Sequence, residues 1–285
     1  MSTDDPRVLL RRLEQRARRR FGQHFLTATS MATRMVRGAR VIEGDRVLEV
    51  GPGLGILTSA LEDAGAQITA IELDRDLAAF MREEHPGVRL IEGDALAVDW
   101  ADAAPGSGWK MVANLPYNVG THMLMRALRQ PERFASVTVM LQLEVVHRLM
   151  AEPGTKAYNS LSVEAQVRGA PVFLLKLPPG AFHPPPKVES AVVRFDLFPE
   201  PRVGAAGPKA FDRVVRAAFA QRRKMISNSL AATYGKAVAK EALASCGIDP
   251  QLRAEVLPPE RFGALALALE GLVRTTPSAL SDTVP

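Results

Sequence analysis

The chain has 285 residues, of which 47% are hydrophobic and 24% charged, a composition typical of globular proteins and too apolar for wholesale disorder. Its single cysteine, Cys246, excludes an intrachain disulfide and any zinc site built from cysteine pairs. No apolar run approaches the roughly 20 residues of a membrane span and the first residues lack the apolar stretch of a signal peptide, so we expect a soluble, cytoplasmic protein without a membrane partner.

Positive charge is concentrated at the beginning of the chain. The formal net charge is +5, and residues 1–20 carry seven arginines against Asp4, Asp5 and Glu14. Such a basic arm can follow a phosphate backbone, because each Lys or Arg that neutralises a phosphate releases a counterion. A solvated, frayed terminus explains the pattern equally well, whereas the two aspartates disfavour a mitochondrial presequence.

Apolar runs alternate with helical patterns from about residue 31 to residue 200. The runs predict strands at residues 46–50, 67–73, 88–93, 110–114, 136–142, 171–177 and 190–198. Helical segments at 57–64 and 75–84 separate the first of these strands. This alternation is typical of an α/β protein with a βαβ-wound sheet.

A segment rich in Pro and Gly, residues 199–208, predicts a linker after the last strand. The hydrophobic period then changes to about 3.6, which predicts helices over residues 211–232, 240–247 and 259–272. We therefore expect four parts. They are a basic arm (1–20), an α/β domain (21–200), a small all-helical domain (205–273) and a flexible tail (274–285).

The segment VLEVGPGLG ends the first strand in a turn that contains Gly51, Gly53 and Gly55. Glycines allow a tight turn and let a ligand approach the backbone closely. The phosphate-binding loop of NTPases requires a lysine that this segment lacks, and the dinucleotide fingerprint needs a small residue where Ile56 stands. The spacing therefore favours a nucleoside cofactor, although a glycine-rich turn also occurs in many other α/β proteins.

Acidic residues follow the next two strands. Glu72 closes the second strand, where a carboxylate can accept from ribose hydroxyls, and Asp94 closes the third, where it can accept from the amine of an adenine. Either acid alone is also explained by a helix cap or a solvated strand end. Because the carboxyl ends of parallel strands meet at one edge of a sheet, the acids and glycines together favour an adenosine-binding crevice.

The fourth strand ends in Asn-Leu-Pro-Tyr, residues 114–117. The nitrogen of an aromatic amine is a poor nucleophile because its lone pair is delocalised into the ring. We expect the Asn114 side-chain oxygen and the Leu115 carbonyl to accept both N6 hydrogens of an adenine, Pro116 to fix the loop and Tyr117 to stack on the base. Such a base has left its helix, and stacking worth roughly 1–3 kcal/mol offsets part of the unstacking cost. An ordinary turn is the alternative.

Five further segments extend this set of motifs. They are FGQHFL (21–26), LQLEVVHRLMAEPGTKAYNSLSV (141–163), PPGAFHPPPKVESAVVR (178–194), AAFAQRRKMISNSL (217–230) and GIDPQLRAE (247–255). With them, the sequence resembles the KsgA/RsmA family of small-subunit ribosomal RNA adenine dimethyltransferases, which use S-adenosylmethionine (SAM). The similarity covers about residues 21–272. It implies a Rossmann-like SAM-dependent methyltransferase domain followed by a small C-terminal all-helical domain.

The resemblance also implies roles for individual residues. The cofactor contacts would be His24, Leu26, Gly51, Gly53, Gly55, Glu72, Asp94, Ala95 and Asn114. The catalytic site would comprise Asn114, Leu115, Pro116, Tyr117 and Phe182, with Phe182 facing Tyr117 across the flipped adenine. The RNA contacts would be Lys187 and, in one helical segment, Arg222, Arg223 and Lys224. No metal is expected.

The implied reaction is dimethylation of N6 of two adjacent adenines near the 3′ end of small-subunit (16S) rRNA, as a step of ribosome biogenesis by a monomer. Catalysis is then largely positioning, because the methyl group of SAM is already activated. One alternative is an adenine methyltransferase of large-subunit rRNA of the macrolide-resistance type. Another is a ribosome-assembly or mitochondrial transcription factor that only binds, against which the complete Asn-Leu-Pro-Tyr motif argues.

Two positions depart from the family's pattern. His24 replaces the asparagine of Gln-Asn-Phe-Leu, and Leu143 replaces a basic residue between Gln and Glu. A neutral imidazole has one donor and one acceptor and can imitate asparagine, whereas a protonated one has two donors and a positive charge. Glu144 and His147 form an isolated E-x-x-H unit, which predicts a pair on a helix surface rather than a metal site.

Overall fold

The computed structural model describes residues 24–275 of the chain, and these form two compact units. The first unit comprises the described residues up to Val146 together with Ala170–Pro199. The second comprises His147–Gly169 together with the described residues from Glu200 onward. The basic arm predicted at 1–20 lies outside the described residues, as does most of the tail predicted at 274–285.

A mixed sheet of seven strands forms the centre of the first unit. The strands of this unit are β1 (Phe25–Leu26), β2 (Arg46–Val50), β3 (Gln67–Glu72), β4 (Arg89–Glu92), β5 (Trp109–Asn114), β6 (Phe134–Gln142), β7 (Gly169–Leu177), β8 (Phe182–His183) and β9 (Ser190–Leu197). The order across the sheet is β4-β3-β2-β5-β6-β9-β7, and β1 and β8 form a separate antiparallel pair.

The strands β2 to β6 run parallel to one another, and β9 runs antiparallel to β6. From β2 the chain proceeds outward to β4 and then returns to add β5 on the other side of β2. This reversal creates a topological switch point, where crevices at the carboxyl ends of the strands bind ligands in open α/β sheets.

Helices accompany the strands of the first unit. They are α1 (Thr29–Gly38), α2 (Ile56–Asp63), α3 (Arg75–Glu84), α4 (Trp100–Ala103) and α5 (Gly120–Leu128). The sequence explains α3 well, because the side chain of Asp74 accepts from the N–H groups of Asp76 and Leu77 and caps the helix. Val47, Leu48 and Val50 of β2 are all buried, as expected of a central parallel strand that is covered on both faces.

The second unit is helical. After α6 (Leu143–Leu149), which passes from the first unit into the second, its helices are α7 (Ser160–Gln166), α8 (Gly207–Phe219), α9 (Ile226–Tyr234), α10 (Lys236–Ser245) and α11 (Pro259–Thr275). Its core includes the fully buried side chains of Tyr158, Phe211 and Phe262. The predicted fold class, a Rossmann-like α/β region with a helical C-terminal region, is therefore confirmed.

The single helix predicted over residues 211–232 is wrong. The helix α8 ends at Phe219 and α9 begins at Ile226, so that Arg222, Arg223 and Lys224 lie in the turn between them rather than on a helix. Tertiary hydrogen bonds replace the helical ones here: the Ile226 N–H donates to the Leu252 carbonyl over 2.7 Å. The hydrophobic period continues across the turn because both helices pack on the same core.

Among residues 24–275, no helix combines the length and the apolar character that a membrane crossing requires.

Candidate active site

A cleft of about 200 Å³ opens beyond the carboxyl ends of the parallel strands. The turns after four strands line it, with residues 50–54 after β2, 71–73 after β3, 93–96 after β4 and 114–119 after β5. His24, Phe25 and Leu26 contribute a further wall. All of these residues belong to the first unit, and the cleft lies at the switch point of the sheet.

The glycine turn after β2 leaves one side of the cleft open to a ligand. Gly55 begins α2 in the left-handed conformation, and a β-carbon there would lie 2.2 Å from Nε2 of His85. A β-carbon at Gly51, which has a φ of +69°, would meet nothing within 4 Å. The missing side chain at Gly51 therefore exposes backbone to the cleft, and a nucleoside can approach it closely. Gly53 also lines the cleft, whereas Gly55 shapes the turn from behind.

Glu72 ends β3 with its carboxylate buried at the floor of the cleft. Its Oε2 accepts from the Gly53 N–H over 3.1 Å, and its Oε1 accepts from the Asp74 N–H over 3.0 Å. Burial raises the pKa of Glu72, and these two backbone donors oppose the rise. Because each carboxylate oxygen has a second lone pair, Glu72 can hold the glycine turn and still accept from a hydroxyl of a ligand.

The turn after β4 presents Asp94 at the rim of the cleft. Asp94 is exposed, and its Oδ1 accepts from the Leu96 N–H over 2.8 Å. Its backbone carbonyl accepts from the N–H groups of Ala97 and Val98. The adjacent Ala95 is buried and lines the cleft. This side-chain turn orients the Asp94 carboxylate at the same cleft that the glycine turn lines.

The Asn-Leu-Pro-Tyr motif follows β5, and all of its residues line the cleft. Nδ2 of Asn114 donates to the His24 carbonyl over 3.3 Å, which leaves Oδ1 as the acceptor of this side chain. The Pro116 carbonyl accepts from the Gly120 N–H over 2.7 Å and so joins the motif to α5. Asn114 therefore has a defined orientation, with its acceptor available to a ligand amine.

Tyr117 is half-buried and anchored at its hydroxyl. A hydrogen bond of 2.6 Å joins this hydroxyl to that of Ser190 on β9. Burial raises the pKa of Tyr117, and the hydrogen bond with Ser190 opposes the rise. The phenol is therefore neutral at physiological pH and presents an aromatic ring at the cleft, as stacking on a base requires.

His24 packs beside this ring. The His24 and Tyr117 ring centroids are 5.3 Å apart with an interplanar angle of 33°. Nδ1 of His24 lies 2.7 Å from the Pro184 carbonyl, which only accepts, so Nδ1 carries the proton of this bond. In the neutral imidazole Nε2 is then an acceptor. His24 and the buried Leu26 both line the cleft.

Phe182 is the one expected catalytic residue that the structure does not bring into the cleft. It is 4% exposed, pairs with Leu26 across the β1–β8 ribbon and packs within the core of the first unit. It is absent from the residues that line the cleft within the described part of the chain. A stacking role for Phe182 stays a prediction.

The structure adds a buried acid that sequence reasoning missed. Glu49 of β2 lines the cleft although its side chain is 1% exposed, and the Thr58 hydroxyl donates to it over 2.7 Å. Burial raises the pKa of Glu49 to about 8; the Thr58 hydrogen bond opposes this rise, and repulsion by Glu72 and Glu62 adds to it. The signal in the sequence was an acid within a strand that is otherwise apolar on both faces.

The expected RNA contacts lie at the surface. Lys187 is exposed in the first unit, and Arg223 and Lys224 are exposed in the second. Arg222 is also exposed, yet its guanidinium donates to the carbonyls of Lys156 and Tyr158. Arg222 therefore holds the turn between α8 and α9 in place, which distinguishes it from its two neighbours.

The isolated E-x-x-H unit falls on α6, whose first residue, Leu143, donates its N–H to the Glu189 carbonyl over 2.9 Å. Glu144 and His147 are exposed on this helix. Over residues 24–275, His, Cys, Asp and Glu side chains form no cluster of three that could hold a metal ion.

Fold and cleft together define a Rossmann-like methyltransferase. The 23S rRNA methyltransferase ErmE has a similar structure, with a TM-score of 0.66, 26% identity and coverage of 86% of this chain and 99% of that one. A dimethyladenosine transferase from Plasmodium falciparum shares the fold, with a TM-score of 0.75 and 20% identity. The match covers 87% of this chain and 98% of that one.

Sequence comparison identifies the family. The family model described as ribosomal RNA adenine dimethylase matches residues 14–270. Proteins named ribosomal RNA small subunit methyltransferase A are similar over most of their length. The one from Syntrophotalea carbinolica is 42% identical over 90% of this chain and 98% of its own length. The one from Bordetella bronchiseptica is 44% identical over 89% of this chain and 94% of its own length. The chain therefore belongs to the ribosomal RNA adenine dimethylase family, which confirms the resemblance found in its motifs.

Proposed function

We propose that this protein transfers methyl groups from SAM to N6 of two adjacent adenines near the 3′ end of small-subunit rRNA, giving N6,N6-dimethyladenosine. The observation that carries the proposal is the convergence of the Asn-Leu-Pro-Tyr motif, the glycine turn and the two carboxylates, Glu72 and Asp94, on one cleft. Relatives named for the small-subunit reaction are 37–44% identical to this chain, whereas the large-subunit enzyme ErmE is 26% identical. This difference favours small-subunit rRNA as the substrate.

The residues of the cleft fit SAM. Exposed backbone at Gly51, a buried carboxylate at Glu72 and a rim carboxylate at Asp94 match a cofactor with a ribose and an adenine amine. When bound, SAM supplies a methyl group on a positively charged sulfur, which is already a good leaving group. In this proposal Glu72 holds the ribose and Asp94 accepts from the adenine amine of the cofactor. The reaction needs no metal.

The substrate adenine meets the Asn-Leu-Pro-Tyr motif. Oδ1 of Asn114 and the Leu115 carbonyl accept the two N6 hydrogens, which turns the nitrogen lone pair out of conjugation with the ring. Tyr117 stacks on the base, and its anchored hydroxyl keeps the ring in place before the base arrives. Preorganisation of this kind supports catalysis by positioning, and no strong general base is required.

We also propose that the protein acts as a monomer in the cytoplasm, where precursor small subunits are assembled. Lys187 in the first unit and Arg223 and Lys224 in the second supply exposed cations for the phosphate backbone. Arg222 supports the turn that carries the last two.

The test is methyl transfer from labelled SAM to purified ribosomal subunits that lack the modification. We expect small-subunit rRNA to be labelled, large-subunit rRNA to remain unlabelled, and SAM binding to the protein alone, measured by calorimetry, to be unchanged by a chelator. Labelling of large-subunit rRNA alone would favour the alternative enzyme class, and binding to the small subunit without any transfer would favour an assembly factor. Loss of SAM binding on addition of the chelator would contradict the metal-free mechanism.

A further inference from the structure

Arg126, on α5, holds three backbone carbonyls of the turn after β4. One guanidinium nitrogen, Nη1, donates to the carbonyls of Ala95 and Leu96 over 2.7 and 2.8 Å, and Nη2 donates to the Val98 carbonyl over 2.7 Å. The guanidinium carbon also lies 4.6 Å from the centre of the Trp100 ring. Nε1 of Trp100 donates to the same Ala95 carbonyl over 2.9 Å.

These contacts hold carbonyls of the turn, whereas Asp94 holds its N–H groups. The side chain and carbonyl of Asp94 accept from the N–H groups of Leu96, Ala97 and Val98, and Arg126 donates to the carbonyls that point the other way. Such carbonyls need donors because the turn has no regular ladder to supply them. A guanidinium suits this task because it is permanently charged and carries five donors in a rigid, planar fork. Arg126 therefore holds the backbone that directly follows Asp94.

Arg126 acts from outside the cleft. Its side chain is absent from the residues that line the cleft in the described part of the chain. The helix α5 that carries it begins next to the Asn-Leu-Pro-Tyr motif, where the Gly120 N–H donates to the Pro116 carbonyl. The helix α5 therefore contacts the Asn-Leu-Pro-Tyr motif at its beginning and, through Arg126, the turn that follows Asp94.

We infer that Arg126 is a positioning residue that determines how strictly the cleft recognises the adenine of the cofactor. It does so by holding the turn of residues 94–98 so that the Asp94 carboxylate meets the exocyclic amine. This inference rests on the proposed function, because it assumes that the cleft binds the adenosine part of SAM. It extends that function by assigning nucleobase specificity to a residue that does not touch the cofactor.

The experiment compares two ligands that differ only in the base. S-adenosylhomocysteine has an amine at the position that faces Asp94, whereas S-inosylhomocysteine has a carbonyl, which the carboxylate repels. Calorimetry gives the ratio of their dissociation constants for the wild type, Arg126→Met, Arg126→Lys and the control Arg133→Met. Arg133 also donates to a backbone carbonyl, that of Ala104, but away from the turn that presents Asp94.

We expect the wild type to prefer the adenine ligand by about 10–100-fold, the usual worth of a hydrogen bond to a charged group. Arg126→Met should lower this preference by about tenfold. Arg126→Lys should lower it less, because an ammonium can still donate to some of the three carbonyls, although it lacks the planar fork that reaches all of them. Arg133→Met should keep the wild-type ratio. Hydrogen exchange of the Leu96, Ala97 and Val98 amides should accelerate in Arg126→Met without any ligand.

The possible failures are distinguishable. A wild type that binds neither ligand would overturn the proposed cofactor, and the inference with it. A wild type that discriminates, with an unchanged ratio in Arg126→Met and Arg126→Lys, would overturn the inference alone. If both variants fail to fold while Arg133→Met folds, Arg126 serves the fold rather than recognition, and the inference is wrong.

Discussion

Glu49 makes the stability of the first unit depend on pH in an unusual direction. The side chain is 1% exposed on β2, and its pKa lies near 8 instead of 4.5, chiefly because burial disfavours the charge. The folded state therefore holds a proton between about pH 4.5 and 8 that the unfolded chain has lost, so stability falls as pH rises through this window. Each pKa unit of difference between the two states corresponds to about 1.36 kcal/mol. The free energy of unfolding therefore falls by about 5 kcal/mol over the whole window and by about 3 kcal/mol between about pH 4.5 and pH 7.

Glu49→Gln removes this loss, because the amide cannot ionise and its oxygen still accepts from the Thr58 hydroxyl. We expect the variant to resemble the wild type near pH 5 and to exceed its free energy of unfolding by on the order of 3 kcal/mol at pH 7. Denaturant unfolding at pH 5, 6, 7 and 8 checks this. Tryptophan fluorescence is a suitable probe, because both tryptophans, Trp100 and Trp109, lie in the first unit.

Glu83→Gln is the matched control, because Glu83 is an exposed acid of the same unit, on α3. Its stability should follow the wild type at every pH. If the curves of the wild type and Glu49→Gln run parallel from pH 5 to 8, Glu49 is not a protonated acid in the folded state and the reasoning from burial fails.

Three further predictions concern the site. Asn114→Ala should abolish methyl transfer in single-turnover assays while thermal unfolding stays unchanged, because the adenine amine loses an acceptor; near-normal turnover would remove Asn114 from this role. His24→Ala should weaken SAM binding, because it removes a side chain that lines the cleft; an unchanged calorimetric affinity would exclude His24 as a cofactor contact. Replacing Arg223 and Lys224 by Gln should reduce the slope of log RNA affinity against log salt by up to about two, and an unchanged slope would place the RNA contacts elsewhere.

The sequence predicts the central sheet and the cleft well because both depend on local patterns. The strands around Val47–Val50 and Met111–Asn114 are short apolar runs followed by turn residues, and parallel strands necessarily bring those turns to one edge. The order of glycines, Glu72 and Asp94 along the chain thus predicts their common location in the cleft, where the structure places Gly51, Gly53 and both acids.

Features that depend on distant contacts could not be predicted in this way. The strands β1 and β8 have two residues each, and Leu26 meets Phe182 only through tertiary pairing. At the break between α8 and α9 the Ile226 N–H donates to the Leu252 carbonyl, a distant contact that no helical period reveals. The burial of Glu49 depends on the helices that cover β2, and the contacts of Arg126 depend on how α5 packs against the turn after β4.

Mass spectrometry of small-subunit rRNA tests whether this protein methylates its adenines. The rRNA is taken from cells without the gene and from the same cells supplied with the wild type or with Asn114→Ala. We expect N6,N6-dimethyladenosine near the 3′ end to be lost with the gene, restored by the wild type and not restored by Asn114→Ala. Persistence of both dimethylated adenines in cells without the gene would contradict this expectation.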